Sequence, residues 1–250
     1  FYSILSVLFL FLGIFSFFNI NAKRNFVRNI PFLLVFLFLL FIYELLTSIN
    51  VSPYIPSLSS ILEIIVEDRK VIAKSVSHSL ILLATGYLFG ASAGFITGVA
   101  ASSSAFCRYW FMPFVRVLGP IPATAWIPVC IILFPNFFSA GVFIIAISVW
   151  FPVTVMTSSG ILNVPASYFD AGKVLGASAF RRALFIAVPA ASPTIFTGFF
   201  MGLGSSFLTL IAAEMTGVKA GLGFYMVWAR DYADYGRIFA SLLVASIIFY

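Results

Sequence analysis

Side chains suited to acid–base, nucleophilic or metal chemistry are few in this chain. It has one histidine, His78, and two cysteines, Cys107 and Cys130, which lie in or beside apolar runs. Catalysis and metal binding need several such groups to converge. Neither an H-E-x-x-H motif nor a G-x-x-x-x-G-K-[ST] phosphate loop occurs in the sequence. We therefore expect no catalytic residue, no metal site and no cofactor in this chain, and we expect it not to be an enzyme.

Two further residues are candidates for lining a cavity or pathway within the protein. Glu214 follows the apolar run LTLIAA, and Trp126 lies in PATAWIP. A carboxylate within a bilayer costs about 2.5–3.5 kcal/mol on insertion scales and is usually functional. The alternative for both residues is the membrane–water interface, where the carboxylate reaches water and the indole joins the aromatic belt. The sequence favours neither position for either residue.

The long connection 159–192 has the pattern of a helical hairpin. Pro165 suits the first turn of a short helix, ASYFDAGKVL, and Gly176 interrupts it. Ser178 is placed to cap a second helix, AFRRALFIAV, which we predict to end at Pro189. On the cytoplasmic side such a hairpin would be a docking surface for another protein. An amphipathic hairpin lying on lipid headgroups is the alternative.

Composition indicates that membrane helices carry these residues. The chain is 62% hydrophobic and only 9% charged, whereas soluble domains are about 25% charged. A span needs about 20 apolar residues, and the sequence contains about seven such runs. They are 1–20, 31–49, 75–99, 111–134, 139–158, 193–213 and 237–250. We predict an all-α, polytopic membrane helical bundle in the plasma (cell inner) membrane. Both ends lie within apolar runs, as expected of part of a longer chain.

The proline-rich span at 111–134 is expected to be kinked or broken, because proline removes helix hydrogen bonds. Broken backbone at membrane depth persists only where protein or a cavity lines it. The segment 50–74 contains a helical pattern of mixed charge, SLSSILEIIVEDRK. We predict a short helix there, lying at the outer surface.

Basic residues indicate the orientation. The net charge is +6, but the basic residues are dispersed between apolar runs, which argues against nucleic-acid binding. An excess of Lys and Arg marks 21–30, 100–110 and 159–192, whereas 50–74 and 214–236 have balanced charge. By the positive-inside rule the first three segments are predicted to face the cytoplasm.

Four glycines of the span 75–99 recur at every fourth position: Gly86, Gly90, Gly94 and Gly98. This spacing places them on one helix face. Small residues at such spacing let a second helix approach closely, and this packing drives helix association in lipid. We predict that this face packs against another helix, within the subunit or in a second copy of the membrane domain.

The hairpin sequence DAGKVLGASAFRRALFIAVP resembles the EAA motif of ABC importer permeases, written E-A-A, three residues, G, nine residues, I-x-L-P. It departs from the motif by Asp for Glu, Gly for the second Ala, and Val for Leu. The stretches IPSL, GPIPATAWIP, WFPVTVMTSSG, PTIFTGFFMGLGSSFLTLIAAEM and GLGFY resemble the nitrate/sulfonate/taurine/bicarbonate branch. Many members of that branch have arginine where Leu82 and Gly119 stand. The residues implied in coupling to an ATPase are Asp170, Ala171, Gly172, Gly176, Arg181, Arg182, Ile186 and Pro189.

The resemblance implies the transmembrane domain of a type I ABC importer. N-terminal spans with a basic cytoplasmic loop would occupy 1–50, and the permease core 51–250, with the coupling loop at 163–189. ABC ATPase subunits that bind ATP and Mg²⁺ would dock on this loop, and a soluble binding protein would deliver a small anionic solute. A second permease domain, either an identical subunit or the other half of a fused chain, would complete the pathway.

The alternative is a secondary transporter driven by an ion gradient. That class predicts acidic residues or unwound charged helices near the midplane of the membrane. The apolar runs contain almost none, so the sequence favours the ATP-driven importer.

Overall fold

The computed structural model describes residues 35, 38–47 and 54–249. These residues are mostly helical and include no strand, which confirms the all-α prediction for this part of the chain. The predicted span 1–20 and the loop 21–30 lie outside the described residues. Of the predicted span 31–49, the residues 31–34, 36, 37, 48 and 49 also lie outside, whereas Phe38–Thr47 forms a helix.

We number the helices of the described residues in chain order. They are α1 (Phe38–Thr47), α2 (Leu58–Glu67), α3 (Arg69–Ser103), α4 (Ala105–Leu118), a 3-10 turn (Ala123–Trp126), α5 (Ile127–Leu133), α6 (Phe137–Leu162), α7 (Ala166–Val174), α8 (Ala179–Arg182), a π-helical turn (Ala183–Ala187), α9 (Val188–Ala190), α10 (Ser192–Met215), α11 (Leu222–Asp231) and α12 (Tyr235–Phe249).

Three described helices, α3, α6 and α10, are long and apolar enough to cross a membrane, which confirms the spans predicted at 75–99, 139–158 and 193–213. A fourth crossing is possible if α4 and the segment Ala123–Leu133 form one span, although the two are bent by 91°. The helix α12 is apolar but has only 15 residues.

The predicted break in 111–134 is confirmed, and it lies in the turn between Leu118 and Ala123. Two prolines occupy this turn, where their missing N–H groups cost little. Pro113 is accommodated inside α4, and Pro128 lies in the first turn of α5, a position that proline favours. The prolines within helices therefore do not break them, and only those between Leu118 and Ala123 do.

The predicted boundary at residue 74 was wrong. The short helix exists as α2, which Ser57 caps by accepting a hydrogen bond from the Ser60 backbone N–H at 3.3 Å. It ends at Glu67, and α3 begins at Arg69 rather than at 75. No Gly or Pro lies between Arg69 and Ser75, so nothing in that stretch stops the membrane helix from extending beyond its apolar part.

The described chain forms two compact units. One contains the described residues up to Arg69 together with Ala229–Val244. In it the Arg237 guanidinium lies 2.6 Å from the Asp68 carboxylate and 2.5 Å from that of Asp234. The second unit contains Lys70–Trp228 and the residues from Ala245 onwards. Its main apolar core joins α3, α6 and α10 through Leu82, Leu83, Ala91, Ile145, Val149, Val153 and Leu210.

Candidate functional site

The glycine face of α3 packs against α6 of the same chain. A Cβ atom built at Gly86 would lie 2.6 Å from Ile145 Cγ2, and one at Gly98 would lie 2.6 Å from Thr157 Cβ. At Gly90 and Gly94 the corresponding Cβ atoms would lie 2.8 Å from Cβ atoms of α6. Real Cβ atoms do not approach so closely, so each glycine is required for this contact. The predicted packing partner is thus a helix within the subunit.

Hydroxyl groups add interhelical hydrogen bonds at the same interface. The Thr97 and Thr154 hydroxyls are 2.8 Å apart, and the Trp150 indole N–H donates to Thr97 Oγ1 at 3.1 Å. Tyr87 of α3 donates its hydroxyl proton to the Phe199 carbonyl of α10 at 3.0 Å. Polar pairs between membrane helices supplement close packing, and together they make α3, α6 and α10 the frame of this unit.

The predicted hairpin begins as α7, turns at Gly176 and continues as α8. Gly176 has φ +73°, a left-handed conformation that glycine adopts without steric cost. Ser178 caps α8 by accepting from the Arg181 backbone N–H at 3.4 Å. A Cβ at Gly172 would lie 2.5 Å from Ile186 Cδ1. Gly172 therefore lets the two arms touch, which gives a structural reason for glycine where the EAA motif has alanine.

The second arm differs from its prediction. It is not one α-helix ending at Pro189, because a π-helical turn occupies Ala183–Ala187 and Pro189 lies in the first turn of α9. Proline has no N–H for the carbonyl four residues earlier and clashes with it in a regular helix. The wider π turn immediately before Pro189 relieves this conflict. The chain turns at Ala191 instead, before α10.

Asp170 is not at the N-terminus of α7. It lies within the helix, and its carboxylate pairs with the Lys173 ammonium at 2.9 Å with both side chains exposed. The residue before α7 is Pro165, which makes no side-chain cap. An exposed pair of this kind contributes little to stability, so Asp170 is free to meet another molecule.

The tip of the hairpin presents apolar side chains between basic ones. Val174 is 88% exposed and Leu175 is 85% exposed, and Phe180 is also exposed. Ala171 and Arg181 are exposed as well, whereas the Arg182 guanidinium turns back to the Ala177 carbonyl at 2.5 Å. Exposed apolar clusters with polar neighbours are typical of interaction surfaces. The hairpin carries the residues that the resemblance implied in coupling, and Ile186 packs against Gly172 within it.

The Glu214 side chain does not reach solvent, because the residue is only 1% exposed. Its carboxylate accepts hydrogen bonds from Ser79 Oγ at 2.6 Å and from the Gly223 backbone N–H at 2.8 Å. Ser79 Oγ in turn accepts from the Leu222 N–H at 2.9 Å. Glu214 and Ser79 therefore together cap the N-terminus of α11, where a helix favours negative charge. We call this group the Glu214 clasp.

Gly221 has φ +115°, and a Cβ there would overlap the Glu214 carboxylate. A Cβ at Gly223 would lie 2.7 Å from Glu214 Cβ. The sequence GLG is therefore what allows the carboxylate to reach the helix end. Neither sequence-based interpretation of Glu214 included this role.

Trp126 lies in the 3-10 turn and packs, half-buried, on the apolar cluster of Ile127, Cys130, Ala140 and Ile144. A cavity of about 460 Å³ lies nearby, where the break between Leu118 and Ala123 faces α6 and α10. The Trp126 side chain is not among its lining groups. The lining residues with polar or aromatic side chains are Thr124, Ser148, Trp150, Phe151, Ser205 and Thr209. The proline-rich break was the one sequence signal for this site.

Comparisons with known proteins agree with this architecture. The family model of the binding-protein-dependent transport system inner membrane component matches residues 86–250. The nitrate import permease protein of Leptolyngbya laminosa is 30% identical over 173 residues, 69% of this chain and 62% of the relative. The putative aliphatic sulfonates transport permease protein of Bacillus subtilis is 29% identical over 170 residues, 68% of this chain and 62% of the relative.

A putative ABC transporter permease protein of Methanocaldococcus jannaschii is 32% identical over 135 residues, 54% of this chain and 51% of the relative. The chain thus spans 62% of the length of the nitrate and sulfonate relatives. The family model covers well over half of the chain, including α6, the hairpin and α10. The chain belongs to the family of binding-protein-dependent transport system inner membrane components and is a multi-pass membrane protein.

Proposed function

We propose that this chain is the permease subunit of an ATP-driven importer, and that the α7–α8 hairpin couples it to cytoplasmic ATPase subunits. Family membership and the permease names of the relatives support the transport role. In this proposal a soluble binding protein delivers the solute, and a second permease domain completes the pathway. The relatives are named for nitrate and for aliphatic sulfonates, so the charge of this chain's solute is the first point to test about it.

The hairpin is the observation that carries the proposal. Gly176 turns the chain in a left-handed backbone conformation, and the two arms of the hairpin meet at Gly172. The tip of the hairpin leaves the Val174 and Leu175 side chains exposed. An exposed apolar tip beside basic residues suits a groove on a protein partner better than it suits free solution. ATP hydrolysis would belong to that partner.

An ion-gradient transporter is less well supported. Within the described helices α3, α6 and α10, Glu214 is the single carboxylate. Its oxygens already accept bonds from Ser79 and Gly223. Proton or sodium relays use acids that can exchange partners, and a carboxylate committed to a helix terminus does not suit that role.

The test is recruitment of the ATPase to the full-length protein. Gly176→Val forces a branched side chain into a left-handed backbone, which costs on the order of 1–2 kcal/mol, and Leu175→Glu places a charge at the tip. Both variants should insert in the membrane but lose most of the co-purifying ATPase. Gly204→Val is the matched control, since a Cβ at Gly204 meets nothing within 4 Å and its helical backbone is not left-handed. Wild-type recruitment by Gly176→Val and Leu175→Glu would refute the coupling role.

A further inference from the structure

On the basis of the permease function above, we propose that the cavity beside the broken span is where this chain contacts its transported solute. We propose further that this contact selects an uncharged solute with hydrogen-bond donors and a flat apolar face over a small inorganic anion. We call it the hydroxyl cavity, lined by Thr124, Ser148, Trp150, Phe151, Ser205 and Thr209.

The position of the hydroxyl cavity suits a pathway. The backbone between Leu118 and Ala123 forms no helix, and the helices on either side are bent by 91°. Non-helical backbone at membrane depth persists where it lines a cavity, and interrupted spans mark binding sites in transporters. The volume of about 460 Å³ falls within the range of small-molecule sites.

Three of the four hydroxyl protons in the cavity are committed to the protein, whereas Thr124 makes no side-chain hydrogen bond within the described part of the chain. Ser148 Oγ donates to the Ile145 carbonyl at 2.8 Å, Ser205 Oγ donates to the Ser148 carbonyl at 2.9 Å, and Thr209 Oγ1 donates to the Ser205 carbonyl at 2.9 Å. The Trp150 indole N–H is bound to Thr97. The hydroxyls of Ser148, Ser205 and Thr209 therefore offer lone pairs to a ligand, and accept better than they donate.

The cavity also has no countercharge. None of its lining side chains is ionisable, and Gly119 adds no side chain at the wall, where the Phe151 ring fills the space. An anion that enters loses water and finds no cation and, apart from the Thr124 hydroxyl, no uncommitted proton among these side chains, which is costly in a partly apolar site. An amide, amine or hydroxyl proton finds acceptors, and an aromatic or apolar face finds Trp150 and Phe151.

The charge preference is measurable without knowing the solute. In the full-length protein lacking Cys107 and Cys130, a single cysteine replaces Ser205 or Thr209. Each variant reacts with 2-hydroxyethyl, 2-sulfonatoethyl and 2-trimethylammonioethyl methanethiosulfonate, and the rates are divided by those for a free thiol. At both positions the hydroxyethyl reagent should react about tenfold faster, or more, than the anionic sulfonatoethyl reagent, because only the anion pays an uncompensated desolvation cost.

A cysteine at Ser178 is the surface control. It lies beside the basic Arg181 and Arg182, so the anionic reagent should be the faster one there. Equal or faster reaction of the anionic reagent in the cavity would overturn the charge preference. Failure of every reagent to react would show that lipid or a second subunit fills the cavity, and would overturn its role.

The second readout is transport coupling in proteoliposomes that contain the ATPase. Hydroxyethyl modification at Ser205→Cys should abolish ATP hydrolysis stimulated by the binding protein, or its linkage to uptake, while ATPase recruitment stays intact. Unchanged stimulation and uptake after complete modification would remove the cavity from the pathway. Because recruitment is measured separately, that result is distinguishable from failure of the permease assignment itself.

Discussion

Removal of the Glu214 carboxylate tests whether the clasp is structural. Glu214→Ala orphans the Ser79 hydroxyl proton and the Gly223 N–H, which the carboxylate accepts at 2.6 Å and 2.8 Å in a site that is 1% exposed. Each orphaned buried donor costs about 1–3 kcal/mol. With the space left by the missing side chain, we expect a total loss of about 3–5 kcal/mol.

Two further variants test whether the loss of stability follows the number of hydrogen bonds that each substitution removes. Ser79→Ala removes one donor to Glu214 and orphans the Leu222 N–H, so it should cost about 1.5–3 kcal/mol. Glu214→Gln keeps the volume and one acceptor oxygen, and should cost about 1–2 kcal/mol. The expected order of destabilisation is therefore Glu214→Ala, then Ser79→Ala, then Glu214→Gln. Glu67→Ala, at an exposed acid of α2, is the control and should be close to neutral.

The assay is unfolding in mixed micelles with increasing sodium dodecyl sulfate, followed by loss of tertiary fluorescence signal, together with uptake in proteoliposomes. A pathway role predicts the opposite pattern: Glu214→Gln would abolish uptake and leave the unfolding midpoint unchanged. That result, or a Glu214→Ala midpoint equal to that of Glu67→Ala, would refute the structural clasp.

Two other substitutions test the frame of each unit. Gly90→Leu should destabilise the protein by more than about 3 kcal/mol in the same assay, because its Cβ would lie 2.8 Å from Val149 Cβ. The opposite-face variant Phe89→Leu, at an exposed position, should cost less than about 1 kcal/mol. Equal effects of the two substitutions would disprove the packing face. Arg237→Ala removes the partner of two carboxylates in a partly buried site and should cost about 1–3 kcal/mol. Arg230→Ala breaks only an exposed pair and should cost less than about 0.5 kcal/mol; similar losses for both arginines would contradict the buried ion-pair account.

Local patterns were predictable from the sequence. The four-residue spacing of the α3 glycines fixes a helix face whatever the fold, and Gly176 falls where a helical pattern stops and restarts. Proline in the turn after Leu118 predicted the break because its effect is confined to its own backbone. The π turn before Pro189 was not predictable in this way, since it depends on how the hairpin continues into α10.

Contacts between distant residues were not predictable. Glu214 is satisfied by Ser79, which is 135 positions away in the chain, and by the start of α11. The hydroxyl cavity combines side chains from the broken span, α6 and α10, none of which is unusual in its own segment. Likewise, no pattern within α7 shows that Ile186 packs against Gly172. A single sequence gives residue types and spacing, but not which helices become neighbours.

The most direct test of the central claim is the energy source of transport. The full-length protein is reconstituted with the ATPase and the binding protein, and uptake of the solute held by that binding protein is followed in sealed proteoliposomes. We predict uptake that requires ATP at the ATPase side, continues when ionophores collapse the proton and sodium gradients, and disappears in Leu175→Glu. Uptake that proceeds without ATP and stops on addition of ionophores would contradict the ATP-driven permease.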